Sequence, residues 1–340
     1  MVVLSYLLPG TSKVLTTDHQ INPGSWIDCR WAGFRPLLKF RSLVLSIGGE
    51  PVIKIGIIGL GSIGSRHLKN FQDLGCEVHG YDPAKIQYNN TEDLARVYDC
   101  DGIVIASPTD KHFNHIMDVH ARRKPMLVEK PLVATRHELQ NVPLRYIFMV
   151  GYNLRFHSCT LKARQWLEQG VIGKPLWARF TCAQYNDREA YRRDGVILNW
   201  SHEIDLALHL LGEAEVLTAA TTDREDLTDI LLKHYSNECH TVVHLDYLTK
   251  PERRGFVIVG TDGSIEADLV SRQAFVKDCD GKVIHTHFGK DSFDDNYVTE
   301  AKAFLALIRK QIESRYLVGC NAYEAHAVVE ICLEVKEFHG

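Results

Sequence analysis

The stretch Lys54-Ile55-Gly56-Ile57-Ile58-Gly59-Leu60-Gly61-Ser62-Ile63-Gly64 constrains this chain more than any other. Its apolar start, rich in β-branched residues, reads as a strand buried on both faces. It ends in Gly59-x-Gly61-x-x-Gly64, and behind it Ile63, His67, Leu68, Phe71 and Leu74 recur at helical spacing up to Gly75, a helix stop. Strand, glycine turn and helix in this order are the context that a dinucleotide fingerprint requires. Gly59 permits the tight turn, Gly61 lets backbone approach a pyrophosphate, and Gly64 lets helix pack on strand. The first helical turn, at Ser62 and Ile63, then presents N–H groups and a positive dipole end to the phosphates.

A glycine turn alone is a weak signal. Here Glu77-Val78-His79-Gly80-Tyr81-Asp82 follows, a second short strand ending in an acid eighteen residues beyond Gly64. That is close to the ~20 residues expected for the carboxylate on the adenosine ribose. Asp82 would repel a 2′-phosphate, so NAD is the expected cofactor and NADP the less favoured one, with Lys85 as a nearby countercharge.

From Val52 the chain alternates strand and helix. Apolar strands are expected at Gly102–Ala106, Met126–Val128 and Tyr146–Val150, with helices around Glu92–Tyr98, after Ser107-Pro108-Thr109, and at Arg136–Gln140. Thr109 is read as an N-cap. This rhythm implies right-handed crossovers and a doubly wound parallel sheet, an α/β Rossmann-type unit. Gly59–Gly64, Asp82, Ser107–Thr109 and Glu129-Lys130-Pro131 all lie at carboxyl ends of strands, where such sheets hold ligands. After Gly151 the rhythm changes. One helix and a long strand (Leu176–Tyr185), then a helix from about Ser201, precede successive strand-like runs separated by hairpin signals such as Asp262-Gly263 and Asp280-Gly281. Two helices, about Tyr297–Gln311 and Ala322–Glu337, close the chain. The second part is therefore an α+β domain with a large, mostly antiparallel sheet. The expected organisation is residues 1–51 as a weakly ordered N-terminal extension, 52–150 as the NAD-binding domain, and 151–340 as a substrate-binding and oligomerisation domain.

Two clusters carry chemistry. Lys130, at a strand end facing the crevice, is a proton acceptor if burial lowers its pKa, or a cation for a developing alkoxide. In Asn199-Trp200-Ser201-His202-Glu203-Ile204-Asp205-Leu206-Ala207-Leu208-His209, residues His202, Asp205 and His209 share one helix face. A histidine near a helix start with an acid one turn on is a candidate oriented base. A zinc-protease motif fails here, because the second ligand position is Leu206.

Composition closes off other classes. The chain has 340 residues, 45% hydrophobic and 24% charged, with a net charge of −4 that gives no reason to expect nucleic acid or an anionic membrane as partner. Nine scattered cysteines without a C-x-x-C pair argue for a reducing compartment, and the expected location is cytoplasmic. No apolar run reaches the ~18 residues of a membrane span, and Met1–Leu8 lacks a basic leader and stops at Pro9-Gly10, a poor signal peptide.

The chain resembles the Gfo/Idh/MocA oxidoreductases, the family of glucose–fructose oxidoreductase and inositol dehydrogenase. The resemblance runs from Val52 to Glu337. It rests on Gly59–Gly64, Ala106-Ser107-Pro108-Thr109-x-x-His112, Glu129-Lys130-Pro131, Gly151-Tyr152-Asn153-Leu154-Arg155-Phe156-His157, Gly170–Pro175 and His202-x-x-Asp205. It implies that Lys130 and His202 are catalytic, with Asn199 and Asp205 beside them, and that Lys130–Pro131 is a cis turn against the nicotinamide. Ser107, Pro108, Thr109, His112 and Glu129 then join the glycine turn and Asp82 around the cofactor. Asn199 stands where many members carry Asp, and it cannot ionise. Arg155, Tyr185 and Tyr297 are candidate substrate contacts, with His157, Asn186, Arg188, Arg192 and Arg193 as further polar candidates. The implied activity is NAD-dependent hydride transfer at a hydroxyl or carbonyl carbon of a sugar, polyol or nucleotide sugar, in a homodimer or homotetramer assembled through the antiparallel sheet. The alternatives are an NAD-retaining glycosidase-type relative and a non-catalytic dinucleotide sensor.

Overall fold

The run that opens the fingerprint is strand β3 (Lys54–Ile58), with Ile55, Ile57 and Ile58 essentially inaccessible to solvent. The computed structural model describes residues 5–7, 14–16, 51–84, 93–187, 195–311 and 318–337. A first unit, Met1–Glu50, contributes β1 (Ser5–Leu7) and β2 (Val14–Thr16), an antiparallel pair. The remainder of the expected N-terminal extension lies outside the described residues. Everything below concerns the second unit, which begins at Pro51.

After β3 come α1 (Ser62–Asp73), β4 (Glu77–Tyr81), α2 (Leu94–Tyr98), β5 (Gly102–Ile105), α3 (Thr109–Ala121), β6 (Met126–Val128), α4 (Arg136–Asn141) and β7 (Ile147–Val150). The five strands form one parallel sheet in the order β4-β3-β5-β6-β7. The chain passes to β4 on one side of β3 and to β5 on the other. The crevice beyond the carboxyl ends of β3 and β5 is therefore the switch point where such sheets bind ligands. Helix α1 stops as expected: Gly75 takes a φ of 81°, and Cys76 N donates to Phe71 O at 3.0 Å while Gly75 N donates to Gln72 O at 2.9 Å. That is the Schellman arrangement, which needs a left-handed residue at this point. Thr109 is not the N-cap of α3. Pro108 occupies that position and Thr109 is the first helical residue, with no side-chain cap.

A 3-10 turn (Asn153–Phe156) leads into α5 (Ser158–Glu168), β8 (Pro175–Ala183) and α6 (His202–Leu211). Seven strands follow: β9 (Ala214–Thr221), β10 (Leu227–His234), β11 (His240–Asp246), β12 (Arg253–Gly260), β13 (Gly263–Asp268), β14 (Gln273–Asp278) and β15 (Val283–Phe288). With β8 they build an eight-stranded sheet, β15-β14-β13-β12-β8-β11-β10-β9, antiparallel except where β8 meets β11. Alternate residues of β10, Thr228, Ile230, Leu232 and His234, are buried, the period-2 signature of a sheet packed on one face. Helices α5 and α6 pack against this sheet. The last two helices, α7 (Phe293–Ile308) and α8 (Ala322–Glu337), return to the first half, α7 against α1 and α8 against β7 and α4. One contiguous apolar core, from Ile58 and Val128 through Phe180 and Val243 to Val329, consequently runs through both halves.

Helix α1 lies so close to β3 that a Cβ on Gly64 would stand 1.8 Å from Gly59 O. Gly64→Ala is expected to displace α1 and abolish NADH binding in a fluorescence titration, with the circular-dichroism spectrum largely kept because the packing change is local.

Candidate active site

Gly59 has a φ of 92°, and a Cβ there would meet Ala106 O and Ser107 N, both at 2.6 Å. The glycine turn is thus pressed against the end of β5. On Gly61, by contrast, a Cβ would meet nothing within 4 Å, and this residue, the N-cap of α1, carries no side-chain cap. The turn leaves its open side at the helix N-terminus, which is the shape a pyrophosphate needs. Ser62 and Ile63 form the first turn behind it. Asp82, at the end of β4, accepts from Leu60 N at 2.8 Å and from Ala84 N at 2.9 Å, so its carboxylate is fixed beside the glycine turn. Lys85 lies outside the described residues. Ser107 Oγ is buried and unpartnered at the crevice rim.

His112, buried in α3, spans Ser107 O (2.9 Å from Nε2) and Pro131 O (3.0 Å from Nδ1) and so holds the loops after β5 and β6 together. Burial pushes its pKa down, against the pull of those carbonyls. The Lys130–Pro131 bond is cis. Glu129 places Oε1 2.7 Å from His67 Nε2 and accepts from Lys130 N at 3.2 Å. It lies so near Gly151 that a Cβ there would be 2.7 Å from Glu129 Oε2.

Lys130 reaches across the crevice, its Nζ donating to Asn199 O at 2.7 Å. Burial lowers its pKa, Arg254 adding to that effect while Glu129 and Glu203 oppose it. Asn199 ends a short helical stretch over 195–199, ahead of α6. Its amide donates to Tyr247 Oη at 2.8 Å and Gly195 O at 3.0 Å. His202 starts α6, its ring 5.5 Å edge-on from that of Tyr152 and its Nδ1 buried without a partner. Burial, then Lys130, then Arg254 push the His202 pKa well below its usual value. The structure therefore brings Lys130, Asn199 and His202 together at the mouth of the switch point.

Three expectations need correction. Asp205 does not orient His202. Its carboxylate takes Arg155 Nε at 2.9 Å and Nη2 at 2.7 Å. Arg155 is 1% exposed and gives Nη1 to Glu324 at 2.7 Å, so its guanidinium is spent on the fold and offers no substrate contact. A buried cation accepts nothing less, since an unpaired guanidinium here would cost several kcal/mol. His157 likewise caps α5, with Nδ1 accepting from Cys159 N at 3.2 Å. Tyr297 is buried against α1, under Arg66 (4.7 Å to the ring) and beside His67. Tyr185 is 46% exposed, with Lys250 Nζ 3.4 Å from its ring centre. His209 meets Arg164 at 3.2 Å on the α5 side. Arg188, Arg192 and Arg193 lie outside the described residues.

The site also contains groups that pattern reading passed over. Glu203 and Arg254 form a largely buried two-point pair at 2.7 and 3.1 Å; Arg254 lowers the pKa of both Lys130 and His202, and Glu203 opposes it at Lys130. Glu203 was visible in the helix motif, but Arg254 had no signal beyond a charged pair before a strand.

A parallel sheet with a glycine turn and ribose-directed acid at its switch point, backed by a large second sheet that closes the crevice, defines a two-part dinucleotide-binding oxidoreductase fold. Residues 81–143 match the family model described as "Oxidoreductase family, NAD-binding Rossmann fold", and residues 160–266 match "GFO/IDH/MocA C-terminal domain". The chain belongs to the GFO/IDH/MocA oxidoreductase family. It is 28% identical over 185 residues to an inositol 2-dehydrogenase/D-chiro-inositol 3-dehydrogenase of Shouchella clausii, a match that covers 47% of this chain and spans about half of that relative's length (54%). Two solved structures share the fold. UDP-N-acetylglucosamine 3-dehydrogenase from Acidithiobacillus ferrooxidans has a TM-score of 0.70 at 19% identity, covering 84% of this chain and 97% of its own. Levoglucosan dehydrogenase in complex with NADH has a TM-score of 0.73 at 18% identity, covering 84% and 96%.

Because Arg155 is held by Asp205 and Glu324 in the interior, Asp205→Ala is expected to destabilise the protein by about 3–5 kcal/mol in denaturant unfolding. A loss below ~1 kcal/mol would show that the pair contributes little.

Proposed function

We propose that this chain is an NAD-dependent dehydrogenase or reductase that transfers hydride at a CH–OH carbon of a sugar, polyol or nucleotide sugar. The observation that carries the reading is the placement of Lys130 Nζ, fixed 2.7 Å from Asn199 O and near enough to His202 to act on its charge. The family supports the cofactor, and the activities of the relatives, on an inositol, a nucleotide sugar and an anhydrosugar, support the substrate class.

Gly59, Gly61, Ser62, Ile63 and Gly64 hold the pyrophosphate, and Asp82 the adenosine ribose. Ser107, Pro108, Thr109, His112 and Glu129 form the floor and turn on the nicotinamide side. Bound NAD supplies the hydride acceptor; the protein supplies orientation and proton handling. Lys130 hydrogen-bonds the reacting hydroxyl and takes its proton. His202, kept neutral, fixes the same hydroxyl from the other wall, and Asn199 holds Lys130 in place through its carbonyl. Asp205 acts at a distance, by seating α6. Tyr185 and Tyr297 are offered as flanking contacts for the remainder of the substrate. Residues 52–150 bind the cofactor and 151–340 the substrate.

We also place the contact between copies of the chain on the open face of the eight-stranded sheet. A groove of about 850 Å³ there is lined by Arg179, Thr181, His244, Glu266 and Phe275. A cytoplasmic site of action is supported by the eight described cysteines, all free, and among the described residues no helix is long and apolar enough to cross a membrane.

With NAD and a panel of polyols, sugars and nucleotide sugars, Lys130→Ala is expected to lose roughly 10²–10⁴-fold in turnover while retaining NADH binding. Near-normal turnover would remove Lys130 from the mechanism. Oxidation needs neutral Lys130, whose pKa is lowered, so log kcat/KM should rise with pH along a limb centred below the ordinary lysine value of 10.5. Asn199→Asp adds an anion on the residue whose carbonyl holds the ammonium, on a side chain turned to Tyr247 and Gly195; through space it favours the charged form and should move that limb up, by at most about 1 pH unit. A limb that stays in place would mean that another group titrates.

A further inference from the structure

His67, Glu129 and Glu300 form a second cluster, of which the proposed reaction uses only Glu129. His67 comes from α1, Glu129 from the end of β6 and Glu300 from α7; they are 0%, 8% and 0% exposed. One ligand-type atom from each lies within 4.8 Å of the other two, and His67 Nε2 is already 2.7 Å from Glu129 Oε1. Both oxygens of Glu300 are buried without any hydrogen-bond partner, and so is His67 Nδ1. One turn before Glu300 on the same face of α7, both polar atoms of the fully buried Asn296 are also unpartnered. No Lys or Arg lies within hydrogen-bond reach of Glu300 among the described residues.

Leaving two carboxylates this close in an apolar interior is expensive, because each loses its hydration and repels the other. A dication removes both costs at once, since two carboxylates balance its charge. We propose that His67, Glu129 and Glu300 form a buried binding site for a first-row divalent metal ion of the Zn²⁺ or Mn²⁺ type. An imidazole with two carboxylates suits these ions better than Mg²⁺ or Ca²⁺, which favour all-oxygen shells. Metal–ligand bonds of about 2.0–2.2 Å set ligand atoms roughly 3–4 Å apart, so the His67–Glu129 pair opens slightly and the remaining separations, at most 4.8 Å, close by no more than about 2 Å. Asn296, one turn away on α7 with its Oδ1 unpartnered, is a neutral oxygen donor on the same helix face. The ion joins α1, which carries the glycine turn, the Glu129-Lys130-Pro131 turn and α7, which arrives from the second half of the chain. Its role is structural, and no step of the proposed hydride transfer passes through it.

The test uses the full chain, stripped with a chelator and dialysed against Mn²⁺ or Zn²⁺. The wild type is expected to retain about one ion per chain, with a raised Tm. Glu300→Gln keeps the shape without the charge and is expected to bind at least roughly tenfold more weakly. His67→Asn, an independent variant, is expected to lose the ion as well. Failure of the wild type to retain either ion would overturn the proposal, even were both variants unfolded. Retention unchanged in Glu300→Gln would overturn it too, by placing the ion elsewhere. The readout is metal content and Tm, so this result stands or falls separately from the assignment of dehydrogenase activity.

Discussion

The contact on which the substrate side of this protein depends is the buried fork between Arg155 and Asp205. Arg155 sits on the 3-10 turn that leaves the parallel sheet, Asp205 on α6, and Glu324, the third member, on α8. Apolar packing alone would hold α6 against the eight-stranded sheet but would tolerate sliding along its axis. Two parallel N–H···O bonds tolerate one register. That register sets His202 opposite Lys130, so a group remote from the chemistry decides whether the two walls of the crevice face each other correctly.

Charge at the crevice is largely paired off. Glu203 and Arg254 neutralise each other, and His202, crowded by burial and by two cations, stays uncharged. Lys130 is left as the cation whose neutral form burial favours, against the pull of Glu129 and Glu203. Its partner is a backbone carbonyl, which accepts strongly from an ammonium and more weakly from a neutral amine, so the contact to Asn199 O is weakened but not abolished by loss of the proton. The Asn199 side chain itself is turned to Tyr247 and Gly195, so it is the backbone at this position that meets Lys130.

The order of elements was legible in the sequence because it rests on short-range signals. Period-2 and period-3.6 patterns and glycine stops placed β3 to β7 and most strands of the large sheet within a few residues. The parallel pairing of β8 with β11 was not legible, since strand order depends on contacts across sixty residues and alternation is the same for either direction. Residue types also singled out Lys130 and His202, which the structure sets near each other. They misled at Arg155 and Asp205, because a motif states that two charged residues occur at a given spacing and not whom they face. Arg254 shows the converse: its role comes from Glu203, fifty-one residues earlier, and no local pattern announces it.

Glu129 is where these systems meet. One oxygen faces His67 and the cluster under α1, while the other receives the peptide N–H of Lys130. Gly151 leaves it no room to turn away, because the missing Cβ is the space that the carboxylate occupies. The glycine turn, the cis turn and the last helices are thus joined through one side chain pinned on both sides. Any change in the charge around His67 and Glu300 therefore pulls on the same carboxylate that positions the Lys130 backbone. The packing of α1 and the backbone position of Lys130 thus share one carboxylate, through the two hydrogen bonds it makes.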